Sequence, residues 1–131
     1  YARHLNNAAI ALAGLGDKPW VVADLTELLR DPRAYFRFNA AFALGEIGRD
    51  VPAAVDALID ALADANDLVR SEAAVALGRL RDPRSVPALE AAAESENPFV
   101  QLDVVVALCR IDGPRYSHLI FEKLLVREEP H

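Results

Sequence analysis

Apolar and polar positions along this chain follow a helical rhythm that is itself repeated. A short apolar phrase occurs four times, as AIALAGLG from Ala9, AFALGEIG from Ala41, AVALGRLR from Ala74 and VVALCRID from Val105. Its starting positions differ by 32, 33 and 31 residues, a period that marks a stacked array of units burying their apolar faces against one another. Phe36, Ala40, Ala43, Leu44 and Ile47 recur at three- and four-residue steps and share one helical face. Val55, Leu58, Ile59 and Leu62 form the buried side of a second helix in the same unit. Gly48 closes the first helix and Pro52 opens the second, where a missing N–H costs nothing. Pro19, Arg84 and Pro114 stand near the other second-helix starts, Asp31-Pro32 and Asn97-Pro98 separate units, and Asp64 to Asp67 carry turn and N-cap chemistry. The pattern predicts helices over 2–14, 19–30, 34–47, 52–64, 68–80, 84–94, 99–111 and 115–127, in repeats 1–31, 32–64, 65–96 and 97–127. No strand is predicted, because Val and Ile never alternate with polar residues over a useful length. Tyr1 already lies inside a helical pattern, so the chain is expected to be a piece of a longer array.

Aligning the repeats turns single residues into slots. Ala8, Ala40 and Ala73 share one slot, and Ala11, Ala43, Ala76 and Ala107 another, as suits helices in close approach. Gly45 and Gly78 align with Ala13 and Cys109; mid-helix Gly costs about 1 kcal/mol relative to Ala, so its recurrence points to close contact or a helix end. Cys109 then reads as a small apolar residue in a tight slot. Phe36 aligns with Val69 and Val100, and Phe42 with Ile10, Val75 and Val106, which assigns both to the core. Phe38 aligns with Asn6, Ser71 and Leu102; a slot that tolerates polar residues is exposed or partly covered, which makes Phe38 a candidate partner anchor or a packing contact for a preceding repeat.

Composition narrows the function classes. The 131 residues carry 53% hydrophobic and 26% charged side chains, the balance of a globular chain. A net charge of −6 disfavours nucleic acid and anionic membranes as partners, and no apolar run nears the length of about 20 residues that spans a bilayer. One cysteine permits no internal disulfide, consistent with a cytoplasmic setting. His4, His118 and His131 share no slot and no metal-ligand spacing. No phosphate loop, nucleophile elbow or zinc motif is present, so no catalytic, cofactor or metal residue is assigned.

Val69-Arg70 followed by AAVALGRL, then Asp82-Pro83 and Val86-Pro87-Ala88-Leu89, resembles HEAT repeats, in particular the short HEAT-like repeats of phycobilin lyases and many bacterial proteins. The resemblance implies an all-α fold, an α-α superhelix (solenoid) of four HEAT-like helix pairs. It also implies an Asp–Arg ladder between units: Asp31 precedes Arg37 by six residues and Asp64 precedes Arg70 likewise, whereas Ser95 and Gln101 hold the next places. The ladder is expected to stop there, leaving the last joint to packing alone. Deoxyhypusine hydroxylases are HEAT-like arrays that hold iron with His-Glu pairs. The matching slots here are Asn6-Asn7, Phe38-Asn39, Ser71-Glu72 and Leu102-Asp103, which sets that activity aside.

Charge divides between the two helix sets. Asp24, Glu27, Asp31, Asp56, Asp60, Asp64, Glu90, Glu94 and Glu96 fall on the second helices or their ends, against Arg30 and Arg84. Second helices usually line the concave face of such arrays, so Glu27, Asp60 and Glu90 are expected to form an acidic surface for a basic protein segment. The apolar last helix, with Leu119, Ile120, Phe121, Leu124, Leu125 and Val126, suggests a further contact surface. The reading is a noncatalytic protein-binding scaffold without cofactor; a bilin lyase-type enzyme or subunit, or a structural spacer in a larger enzyme, are the alternatives.

Overall fold

The computed structural model describes Ala11, Gly14 and residues 19–125. Helices α1 (Pro19–Leu28), α2 (Ala34–Ile47), α3 (Pro52–Ala61), α4 (Asp67–Leu80), α5 (Val86–Ala92), α6 (Pro98–Ile111) and α7 (Gly113–Tyr116) follow in order. A 3-10 turn at Pro83–Ser85 leads into α5, and a π-helical segment covers Ile120–Leu125. Among the described residues there is no strand, and no helix is long and apolar enough to cross a membrane. The expected helix over 2–14, with the first copy of the phrase, and the end of the last helix lie outside the described residues.

The first helices of the pairs, α2, α4 and α6, pack side by side along their length, and each second helix lies chiefly against the first helix that follows it. One leucine per helix anchors this arrangement. Leu44, Leu77 and Leu108 on the first helices and Leu25, Leu58 and Leu89 on the second are all fully buried. Burying each contributes about 1.5–3 kcal/mol. Phe36, Val69 and Val100 are buried as expected, while Ile47 and Ile59 sit at the core's edge.

Backbone proximity explains the mid-helix glycines. A Cβ on Gly45 would stand 2.7 Å from the Cβ of Ala76 and 3.0 Å from its Cα, and one on Gly78 would stand 3.0 Å from the Cα of Ala107. Each glycine of one first helix therefore faces an alanine of the next, with no room for a side chain between them. The starts of α4 and α6 are capped by side chains: Asn66 accepts from the N–H of Leu68 at 2.8 Å, and Asn97 from that of Phe99 at 2.9 Å. Asp50 and Arg81 take left-handed backbone with φ of 63° and 55°, Arg81 as the C-cap of α4.

Two expectations change. The helix expected over 115–127 is not continuous over its described part, residues 115–125: α7 is one short turn, and π-helical winding follows. This segment is tethered to the end of the preceding pair at two points, by Tyr116 Oη donating to Glu90 at 2.6 Å and Lys123 Nζ donating to Glu94 at 3.1 Å.

The ladder is also connected differently. Arg37 donates through Nη1 to the backbone oxygen of Asp31 at 2.8 Å, and through Nε and Nη2 to the carboxylate of Asp64 at 2.8 and 3.0 Å. The Asp31 carboxylate instead holds Arg33, at 2.9 Å from its Nε. Arg70 donates to the backbone oxygen of Asp64 at 2.7 Å and pairs with Asp67. Each Arg thus grips the carbonyl six residues behind it, and Arg37 also takes the carboxylate closing its own repeat; Ser95 removes that second partner for Arg70. Nor is the last joint left to packing alone, since Asn97 Nδ2 donates to Asp67 at 2.7 Å and Gln101 Nε2 to the Ala93 oxygen at 3.1 Å.

Two outcomes follow for stability. Gly45→Ala should destabilise by about 1–3 kcal/mol despite alanine's better helix propensity, because overpacking outweighs it. Gly113→Ala should be near neutral, since nothing lies within 4 Å of its added Cβ; urea midpoints of both variants measure this. Removing Arg37 strands the poorly exposed Asp64 carboxylate, so Arg37→Ala should cost about 2–4 kcal/mol and Arg70→Ala about 1 kcal/mol. Burial acts to raise the Asp64 carboxyl, but the Arg37 guanidinium and the Asn66 N–H outweigh it and hold it below the ordinary carboxyl range. Because the folded-state value is depressed, this stabilisation is complete above about pH 4 and is lost as pH falls further. Acid unfolding curves should show that loss in the wild type and a smaller one in Arg37→Ala.

Candidate functional site

Close packing of α2, α4 and α6 lays their outward side chains in rows, because residues at equivalent slots stand beside one another. At the helix starts Tyr35, Leu68 and Phe99 form one row, and their exposures of 51%, 67% and 74% leave three large apolar side chains facing solvent. One turn further lie Phe38 and Ser71, both half-buried, and the exposed Leu102. The next row is Phe42, Val75 and Val106, and Glu46, Arg79 and Arg110 end the face. A rise of 1.5 Å per residue places the last row about 16 Å from the first.

Between the starts of α2 and α4 this face deepens into a pocket of ≈ 340 Å³, lined by Ala34, Tyr35, Phe38, Asn66 and Leu68. That volume is within the range of small-molecule sites, about 300–1,000 Å³. The Tyr35 and Phe38 rings lie 6.5 Å apart at 33°, an aromatic pair on one wall. Phe38 therefore stands within a larger apolar surface rather than as a separate anchor. Phe42 is only half-buried, not a core residue: it lies on this same face with the Arg79 guanidinium 5.3 Å from its ring. Arg79 also approaches Glu46, at 3.6 Å.

Two carboxyl groups sit among these apolar rows. Burial raises Glu72, opposed by Arg79 and reinforced by the negative charges of Asp103 and Glu46. Burial also raises Asp103, which a hydrogen bond from Ser71 partly offsets. Cys109 is half-buried and burial pushes its thiol up, as suits a packing residue. Among the described residues no group of three His, Cys, Asp or Glu side chains could hold a metal ion.

The acids of the second helices have a different setting. Glu27 and Asp60 are exposed, and each lines a shallow groove that Arg30 also lines. Glu90 accepts the Tyr116 hydroxyl, and that hydrogen bond, with burial second, raises the Tyr116 phenol. Asp56 lies 3.6 Å from Arg84, and Glu94 is held by Lys123. Much of the acidity is thus answered within the chain. Sequence reasoning missed the row of Tyr35, Leu68 and Phe99, although its signal was available: large apolar residues 33 and 31 positions apart, in step with the repeated phrase.

Comparison with known proteins accords with this architecture. A family model for HEAT repeats matches residues 3–77 and 55–125. Deoxyhypusine hydroxylase of Aspergillus clavatus is 43% identical over 67 residues, covering 50% of this chain and 19% of that protein. Phycocyanobilin lyase subunit alpha of Pseudanabaena tenuis is 45% identical over 67 residues, covering 46% of this chain and 25% of the relative. The structure of human deoxyhypusine hydroxylase superposes with a TM-score of 0.72 at 29% identity, covering 86% of this chain and 44% of that one. The chain thus spans only a fraction of the length of the relatives it matches. These similarities overturn the expectation of a noncatalytic scaffold, because the hydroxylases and the lyase subunit are named for enzymes.

If the first-helix rows are surface rather than core, Leu68→Ser and Phe99→Ser should each change stability by no more than about 0.5 kcal/mol. The double variant should also enhance the fluorescence of an apolar dye such as ANS less than the wild type does. Thermal melts and dye titration together check both expectations.

Proposed function

Because the chain belongs to the HEAT-repeat family, and its relatives there are enzymes, we propose that it is an enzyme or a part of one, of the bilin-lyase kind. The observation that carries this reading is the exposed row of Tyr35, Leu68 and Phe99 with the apolar pocket beside it. An extended conjugated ligand needs a flat apolar bed, aromatic side chains to lie against, and a few polar groups to set its direction. The three rows supply the bed, Tyr35 and Phe38 the rings, and the exposed Arg110 at the far end a cation for a ligand carboxylate. In this role the chain's residues bind and orient the ligand and shield one of its faces from water.

The hydroxylase relatives support enzymatic use of the fold, but the residues here do not match the iron site that the resemblance implies. Phe38-Asn39, Ser71-Glu72 and Leu102-Asp103 offer two carboxylates and an amide in place of His-Glu pairs. Asn6-Asn7 lies outside the described residues and carries no imidazole either. No step is therefore built on iron. Contact with another protein chain fits the same reading, since one relative is named as a subunit; the exposed Phe121 on the π-helical segment is the side chain we assign to it.

Titration with phycocyanobilin, followed by visible absorption, tests the proposal. The wild type should give a saturable spectral change. Tyr35→Ser, Leu68→Ser and Phe99→Ser combined should weaken binding at least about tenfold, since each lost apolar contact is worth on the order of 1 kcal/mol. No saturable change, or equal binding by the triple variant, would refute the assignment.

A further inference from the structure

The starts of α4 and α6 carry the same cap but meet different neighbours. At α6, Asn97 Oδ1 accepts from the N–H groups of Phe99 and Val100 at 2.9 and 3.2 Å, and Nδ2 donates to the Asp67 carboxylate at 2.7 Å. At α4, Asn66 Oδ1 accepts from Leu68 and Val69 in the same way, at 2.8 and 3.3 Å. The residue 33 positions before Asp67 is Ala34, which has no side-chain acceptor to offer. Asn66 Nδ2 makes no hydrogen bond among the described residues, and it is not closed off from solvent. Ala34 and Asn66 both line the pocket between α2 and α4, together with Tyr35, Phe38 and Leu68.

We propose that Asn66 Nδ2 is the polar anchor of this pocket, donating to the carboxylate of an aromatic acid whose rings lie against Tyr35, Phe38 and Leu68. This assignment deepens the proposed ligand-binding role of the first-helix face and rests on it. The neighbouring joint argues for the occupant, because there the equivalent amide takes a carboxylate, and here alanine leaves that place to a pocket. The amide cannot turn over without loss, since two backbone donors require its oxygen and so fix the –NH2 on the other side. Its backbone is held as well: the Asn66 N–H donates to Asp64 at 2.9 Å, and Arg37 grips that carboxylate through two bonds. A donor positioned in this way loses little freedom when it binds. Asp67, the adjacent acid, is already engaged by Arg70 and Asn97. Asn66 thus supplies a donor at the helix starts, opposite the Arg110 cation at the far end of the face.

The test compares 2-naphthylacetate with 2-(2-naphthyl)ethylamine, which share the apolar plane and present an acceptor and a donor respectively, and adds phycocyanobilin as a third probe. Wild-type protein should prefer the acid by about tenfold, the scale of one hydrogen bond to a charged group, although its net charge of −6 favours the amine. Asn66→Asp keeps an oxygen for the cap and puts a carboxylate where the donor stood, so it should reverse the preference. Ala34→Asp, which offers Asn66 the acceptor that Asp67 gives Asn97, should weaken acid binding and raise the melting temperature. Circular dichroism establishes that both variants remain helical. No acid preference in the wild type, or an equal one in Asn66→Asp, overturns the proposal. An Asn66-dependent acid preference without phycocyanobilin binding upholds the anchor while refuting the bilin reading. Saturable phycocyanobilin binding with no acid preference refutes the anchor and leaves the bilin reading standing.

Discussion

The contact on which the rest of the structure depends is the approach of one first helix to the next at Gly45–Ala76 and Gly78–Ala107. Helices that meet through a hydrogen atom and a methyl group lie closer than leucine-bearing faces allow. That separation brings the slot-equivalent leucines into one core and holds the outward side chains of neighbouring repeats in lateral register. Glycine's lower helix propensity is the cost of this geometry, and burial of the surrounding apolar side chains offsets it.

Polar connections then secure the stack without being uniform. Arg37 joins the carbonyl of Asp31 to the carboxylate of Asp64, spanning a whole repeat through one guanidinium. At the next joint the planar fork is replaced by shorter side chains, Asn97 to Asp67 and Gln101 to the Ala93 carbonyl. Neutral donors in place of a charge-assisted bidentate pair make this the weaker polar connection. The close fit of Gly78 on Ala107 keeps the third joint packed all the same.

The two faces of the array carry different chemistry. The second helices are acidic, but Arg84, Lys123 and Tyr116 answer several of those acids from within the chain. The first helices present aromatic and aliphatic rows with carboxyl groups set among them. Such a surface favours an apolar ligand whose direction is fixed by a few polar contacts, in keeping with relatives named for enzymes.

The repeat, its helix pairs, the buried leucines and the small residues at the helix contacts were all legible in the sequence. Each is a periodic signal, and periodicity reports which side chains share a face. The identity of the face that matters was not legible in this way. Phe42 shares its slot with aliphatic residues and so reads as core, but Val75 and Val106 in that slot are not buried either, and Phe42 lies on the outer face near Arg79. Asp31 and Arg37 have the spacing of a pair, yet a guanidinium chooses the carboxylate it can reach in space, which is that of Asp64. Periodicity along one chain specifies what each helix hides; what faces a given side chain from the next repeat depends on helix separation and register, which only the tertiary structure sets.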